Sequence, residues 1–236
     1  MKSEKIKKTN LLENLKHGIT FYQALGFENL PIRFKKRSQL PVCDLSQIKN
    51  KEADLRALQE EIGDCRRCKL WHKRTNIVVG EGNPDAAIMF IGEAPGREED
   101  LQARPFVGDA GMLLTRLIEK MGFRREEVYI ANIVKCRPPM NRDPETDEIE
   151  SCRGFVEKQI EIINPKVIIS LGRISALTLI GNEKLKITAI RGNFFDYKGI
   201  PLMPTFHPAY LIRNPKDKWL TWSDAQKVLE RLGMKG

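Results

Sequence analysis

No apolar run in this chain approaches the roughly 20 residues that a membrane-spanning helix needs, so a bilayer span is excluded on length. The first ten residues, MKSEKIKKTN, carry lysines but have no apolar core behind them, so no secretory signal is expected. There is no internal repeat and no low-complexity tract, which argues against a solenoid or a linker-like chain. Cysteine is limited to five residues and histidine to three. That is too little cysteine for a disulfide-stapled secreted scaffold. A cytoplasmic protein is expected.

What is present is enough for a core. The chain has 236 residues, 41% of them hydrophobic, which accommodates one domain with an appendage. Its net charge of +9 is uneven. Residues 1–51 hold 11 Lys and Arg against 4 Asp and Glu, a balance of +7, and leave +2 for the rest. A basic arm of this kind suits nucleic acid, and equally suits a solubilising tail.

Residues 1–51 read as a basic N-terminal extension: LLENLKHGITFYQALGF as a short helix, PIRFKKRSQLP as a proline-bounded linker. Residues 52–236 read as the main domain. EADLRALQEEIGDC has helical spacing and stops near Gly63. Apolar runs and helical stretches then alternate. The runs AAIMFIGEAP, EVYIANIVKC, KVIISLG and IPLMPTFHP predict four strands. Between and after them, AGMLLTRLIEKMG, PETDEIESCRGFVEKQIEIINP, RISALTLIG and KDKWLTWSDAQKVLERLG predict helices. This alternation predicts an α/β fold in which a four-stranded parallel sheet is covered on both faces. Functional loops then lie at the C-terminal strand ends, where GEAPG, KCRPP and HPAYL all fall. GEAPG lacks the lysine and Ser/Thr of a phosphate-binding loop.

Four of the five cysteines form a pattern. Cys65 and Cys68 make a CRRC pair, and Cys136 and Cys152 are separated by 15 residues. CRRC lies among charges and Cys136 precedes RPP, which argues against simple core packing. One close pair with two distant cysteines points to a metal centre. Zinc is open, but a [4Fe–4S] cluster suits the spacing better than zinc's usual two close pairs. Cys43 stands apart as a spare thiol.

The ordered set GEAPGREED, RPFVGDAG, ANIVKCRPPMNRDP, SLGRISALTLIG and FHPAYLIRNP, with this cysteine spacing, resembles the family 4, iron–sulfur uracil-DNA glycosylases from about Cys65 onward. The resemblance implies a three-layer α/β/α sandwich and a monofunctional enzyme of base-excision repair. Such an enzyme hydrolyses the N-glycosidic bond of deoxyuridine in single- or double-stranded DNA and leaves an abasic site. The target base must leave the helix stack, at a cost of a few kcal/mol.

The implied roles follow residue by residue. His207 donates a hydrogen bond to uracil O2 as negative charge grows there, and a neutral imidazole suffices. Phe106 stacks on the base, and Asn132 reads its N3–H and O4. The backbone at Glu93 and Ala94 binds O2. Other uracil glycosylases place a water-activating aspartate where this chain has Ala94, so Glu93 and Glu99, with Asp100 third, become the candidates for positioning water. Tyr210, Leu211 and Ile212 supply an apolar wedge, with Leu211 the first choice, although Tyr210 is equally suited to packing. Arg213 holds a phosphate, and Lys135, Arg137 and Arg142 lie near Cys136 for the same purpose. Cys65, Cys68, Cys136 and Cys152 hold the cluster as a brace. QKVLERLG has the Gln226 and Leu229 spacing of a sliding-clamp peptide but lacks its aromatic pair. A monomer is expected. The rival to an enzyme is a non-catalytic iron–sulfur protein that binds nucleic acid.

Overall fold

The computed structural model describes residues 50–234. The short helix and basic linker expected before this point, together with His17 and Cys43, lie outside the described residues. The domain opens with α1 (Lys51–Ile62), capped by the Asn50 side chain on the Ala53 N–H (3.1 Å) and closed by Gly63. It continues through β1 (Glu81–Gly82), β2 (Ile88–Gly92), α2 (Arg97–Gln102), α3 (Asp109–Lys120), β3 (Tyr129–Asn132) and α4 (Thr146–Ile163). Then follow β4 (Val167–Leu171), α5 (Arg173–Ile180), α6 (Ile187–Ile190), β5 (Phe195–Tyr197), β6 (Ile200–Thr205), α7 (Pro208–Arg213) and α8 (Lys218–Arg231).

The sheet order is β1-β3-β2-β4-β6-β5. The four strands expected from the sequence, β2, β3, β4 and β6, form the parallel centre. The sheet itself is larger than expected: β1 and β5 add antiparallel edges, making six strands in a mixed sheet. Both edges are two or three residues long. They give no period-2 signal, and short edges limit unwanted pairing with other chains.

The centre has no polar face. All five residues of β2 and of β4 are buried, as a strand covered on both sides requires. Along β2 the side chains alternate between two cores. Met89 and Ile91 join α1 and α4 through Leu58, Ile62, Phe155 and Ile160. Ile88 and Phe90 join α3 and α8 through Leu114, Ile118, Val228 and Leu229. Helix–sheet–helix layering follows.

α4 shows how the sequence sets its own limits. Glu148, three residues past the cap, accepts from the Glu145 N–H (2.8 Å), and Asn164 ends the helix in left-handed geometry just before Pro165. Leu229, of the weak clamp-like spacing, is 2% exposed in the α8 core. Among the described residues no helix is long and apolar enough to cross a membrane.

Candidate active site

The C-terminal ends of β2, β3 and β6 open into one cleft of about 530 Å³. Its walls bring together Glu93, Ala94, Phe106, Asn132, His207 and Arg213, from segments up to 120 residues apart in sequence. The convergence is a consequence of parallel topology.

Glycines let the wall close up. A Cβ at Gly92 would sit 2.4 Å from Asn132 Oδ1 and 2.5 Å from the Phe106 ring. A Cβ at Gly172, whose φ is +92°, would sit 2.9 Å from the His207 Cβ. At Gly111 it would meet the Phe106 carbonyl at 2.0 Å. Phe106 itself has φ +52°, a left-handed conformation that costs a bulky residue roughly 1–2 kcal/mol. Strain of this kind concentrates at functional positions. Its ring is largely buried and lies 5.7 Å from the His207 ring, tilted by 34°.

His207 is the residue before α7. Its Nδ1 accepts the Ala209 N–H at 3.1 Å. In a neutral imidazole the proton therefore sits on Nε2. Burial, reinforced by the Arg213 charge, pushes the His207 pKa down to about 4. The ring is thus a neutral donor at physiological pH.

Asn132 is 1% exposed, and its Oδ1 is buried with no partner among the described residues. An unpaired buried acceptor costs about 1–3 kcal/mol unless a ligand supplies the missing donor. The Ala94 N–H likewise donates to no acceptor among the described residues.

The carboxylates separate into different roles. Burial, with the Asp143 charge adding and Arg173 opposing, raises the Glu93 pKa to about 7. Glu99 is otherwise engaged: Oε1 accepts from Val107 N (2.9 Å) and Gly108 N (3.0 Å), and Oε2 from Gly96 N (3.1 Å). Oε1 clamps the loop that carries Phe106 and Oε2 closes the turn at Gly96, so both oxygens of the residue expected to handle water carry backbone bonds. Asp100 is buried and accepts from Thr75 N (2.9 Å) and Asn76 N (3.2 Å).

The wedge segment is a short helix rather than a loop, with Pro208 at its first position. Helical geometry turns successive residues by about 100°, so three bulky side chains cannot share one direction. Leu211, the expected wedge, is 4% exposed and faces an apolar slot beside Leu114, Phe206 and Trp222. Ile212 is the outward residue, 44% exposed. Tyr210 stacks on Phe206 at 4.7 Å and donates its hydroxyl to Asp217 (2.7 Å), the packing alternative. Arg213 is exposed on the cleft wall.

In the basic group near Cys136, Lys135 is placed differently from expectation. Lys135 is 1% exposed, and its Nζ donates to Asn132 O (2.8 Å) and Gln159 Oε1 (2.6 Å). Burial lowers its pKa to about 8. It braces the Asn132 backbone from behind and is out of reach of a phosphate. Arg142 pairs with the buried Glu148 through two bonds of 2.8 and 2.7 Å. Arg137 is half-buried, with Nε on Asn141 Oδ1 (2.7 Å).

The cysteine side chains lie on the α1 and α4 face of the sheet. Among the described residues no group of three or more His, Cys, Asp and Glu side chains is arranged to hold a metal ion. The four thiols are nevertheless near enough that Cys68 feels Cys65, while Cys136 and Cys152 each feel Cys68. Three of the sulfurs accept an N–H: Cys65 from Arg67 (3.3 Å), Cys136 from Arg74 (3.5 Å) and Cys152 from the Lys135 backbone (3.3 Å). Burial pushes the Cys136 thiol up to about 11.

Comparison with known proteins agrees with this geometry. Residues 79–231 match the Uracil DNA glycosylase superfamily. The chain is 51% identical over 165 residues to the type-4 uracil-DNA glycosylase of Thermotoga maritima, covering 70% of this chain and 86% of that protein. It is 47% identical over 184 residues to the Sulfurisphaera tokodaii type-4 enzyme (75% and 84% covered). For the Saccharolobus solfataricus type-4 enzyme the identity is 48% over 190 residues (77% and 88% covered). With this much of each chain aligned, and the cleft built from the aligned segments, the protein belongs to the type-4 uracil-DNA glycosylase family.

Proposed function

We propose that this chain hydrolyses the N-glycosidic bond of deoxyuridine in DNA, releasing uracil and leaving an abasic site. The observation that carries the reading is the unfilled polar pair in the cleft: the orphaned Asn132 Oδ1 and the Nε2–H of a neutral His207. Uracil supplies both missing partners, N3–H for the first and O2 for the second. Cytosine has no proton on N3, so it leaves Asn132 unpaired and is rejected.

The base, once out of the stack, lies on the Phe106 ring. As the glycosidic bond lengthens, negative charge accumulates on uracil O2. The His207 donor, joined by the Ala94 N–H, favours that state over the ground state. The sugar becomes oxocarbenium-like, so the attacking water needs little activation. Glu93, with a pKa of about 7, is the carboxylate able to accept its proton. Among the described residues no lysine lines the cleft, which suits a hydrolase without lyase action. Arg213 and Ile212 meet the DNA, the first at a phosphate and the second at the vacated base position.

Cys65, Cys68, Cys136 and Cys152 would hold a [4Fe–4S] cluster. All four donors are thiols, and three of the sulfurs already accept the N–H that a charged thiolate ligand uses. Bound there, the cluster supplies cross-linking between the segment after α1 and the start of α4, since a hydrolysis requires no electron. The cytoplasm is the compartment that suits such thiols.

The test is excision from oligonucleotides carrying one uracil, cytosine or thymine, followed by alkali. Alkali-dependent cleavage at uracil alone is the expected result. Intact strands from folded, iron-loaded protein would favour the non-catalytic binding protein.

A further inference from the structure

The loop from Arg137 to Asp143 forms the cleft wall that β3 feeds, and Pro138, Asn141, Arg142 and Asp143 line the cleft. At its tip stands Met140. Its residue exposure is 93%, far above Trp219 at 66% and Met112 at 53%. Met140 and Asn141 also adopt left-handed backbone in succession, with φ of +53° and +54°. Asparagine tolerates this geometry readily, whereas for methionine it costs about 1–2 kcal/mol.

Neither feature is a by-product of a loose loop. Two prolines, 138 and 139, fix its entry. Asn141 N donates to Pro138 O (3.1 Å) and Arg142 N to Pro139 O (3.2 Å). Arg137 holds Asn141 by its side chain, and Arg142 is anchored on buried Glu148. The surrounding bonds thus hold a large apolar side chain in an unfavourable backbone geometry, out in water, with no packing in return. Rigid presentation of one apolar side chain at the rim of a base-accepting cleft has a direct use: it can enter a base step.

We infer that Met140 is a second apolar prop, inserted into the duplex beside the extruded uridine from the wall opposite α7, where Ile212 stands. This rests on the uracil-excision reading above. Two props on facing walls share the cost of holding a base step open, a few kcal/mol in all. A single strand has no partner strand to hold open, so it gains little from Met140.

Substituting Met140→Gly makes the test selective, because glycine accepts positive φ without strain. The M140G protein should melt no lower than the parent. Its kcat/KM on a duplex containing uracil should fall about tenfold, a loss of about 1.4 kcal/mol, while its rate on the same uracil strand alone stays within about twofold. Met140→Leu should restore most of the duplex rate. Equal losses on duplex and single strand, or no loss on either, would overturn the inference. Failure of the unaltered protein to excise uracil from single strands would instead overturn the excision reading beneath it.

Discussion

The cleft and the cysteine pole lie at opposite extremes of hydrogen-bond completion. At the cysteine pole three of the four sulfurs receive an N–H, and the Lys135 ammonium nearby is shared between two acceptors. In the cleft, Asn132 Oδ1 is buried without a partner and His207 uses only one ring nitrogen. The difference teaches where to look for chemistry. Completed networks stabilise a fold, while a buried acceptor left open on a cleft wall, as Asn132 Oδ1 is, awaits a ligand. The Ser170 and Tyr197 hydroxyls, also unpaired among the described residues, lie away from the cleft. Changes at the pole should therefore lower stability, with activity following. Changes in the cleft should lower activity at constant stability.

The largest effect is expected at the pole. Replacing Cys136 with serine would remove one of the four proposed cluster ligands and one of the partners of Arg74. Because binding a structural metal group contributes folding free energy, Tm should fall by about 10 °C or more in a domain of this size. Iron content and visible absorption should fall with it. An unchanged Tm in C136S would erase the contrast drawn above.

Next comes His207→Ala. Loss of one preorganised donor at a developing oxyanion costs about 10²–10³ in kcat. Its melting temperature should stay close to the parent's, since the ring's sole direct hydrogen bond among the described residues is the local one from Ala209. Comparable losses of Tm and kcat would make His207 a structural residue. Asn132→Ala should follow, with about 10- to 100-fold lower kcat/KM on uracil, worth about 1–3 kcal/mol. Filling the orphaned site with an apolar group should leave Tm unchanged or slightly raised. That rise would be the clearest sign that the wild-type side chain is kept for the ligand at a cost to the fold.

Much of this arrangement was legible in the sequence because it follows periodicity and strand-end logic. The central strands ended where GEAPG, ANIVKC and TFHP predicted, so Glu93, Asn132 and His207 meet. What escaped detection depends on three-dimensional enclosure. Lys135 reads as a phosphate ligand from its neighbours, yet the chain reverses after β3 and carries it under Asn132, onto Gln159. Glu99 reads as a free acid, but its side chain folds back onto three backbone N–H groups. The apolar trio Tyr210, Leu211 and Ile212 reads as a loop, because a six-residue helix with proline at its first position shows too few turns for a period to emerge. Positive φ at Phe106 and Met140 leaves no mark in residue type at all.

The smallest expected effect concerns protons and sharpens the same comparison. Glu93 has a pKa of about 7 because burial and the Asp143 charge favour its protonated form. A carboxylate that must accept a proton from water works only when ionised. Below about pH 7, kcat/KM should therefore fall by up to tenfold per unit, and above it the rate should level off. His207, with its pKa at about 4, is neutral throughout this window and adds no second limb. In Glu93→Gln the slope should vanish while a lower, pH-independent rate remains, because an oxocarbenium-like sugar still captures water without a base. If the slope persists in that variant, the titrating group lies elsewhere and Glu93 is left as a wall of the cleft. If it disappears, a half-buried acid whose charge is held off by its surroundings joins Asn132 as a group kept incomplete until substrate arrives.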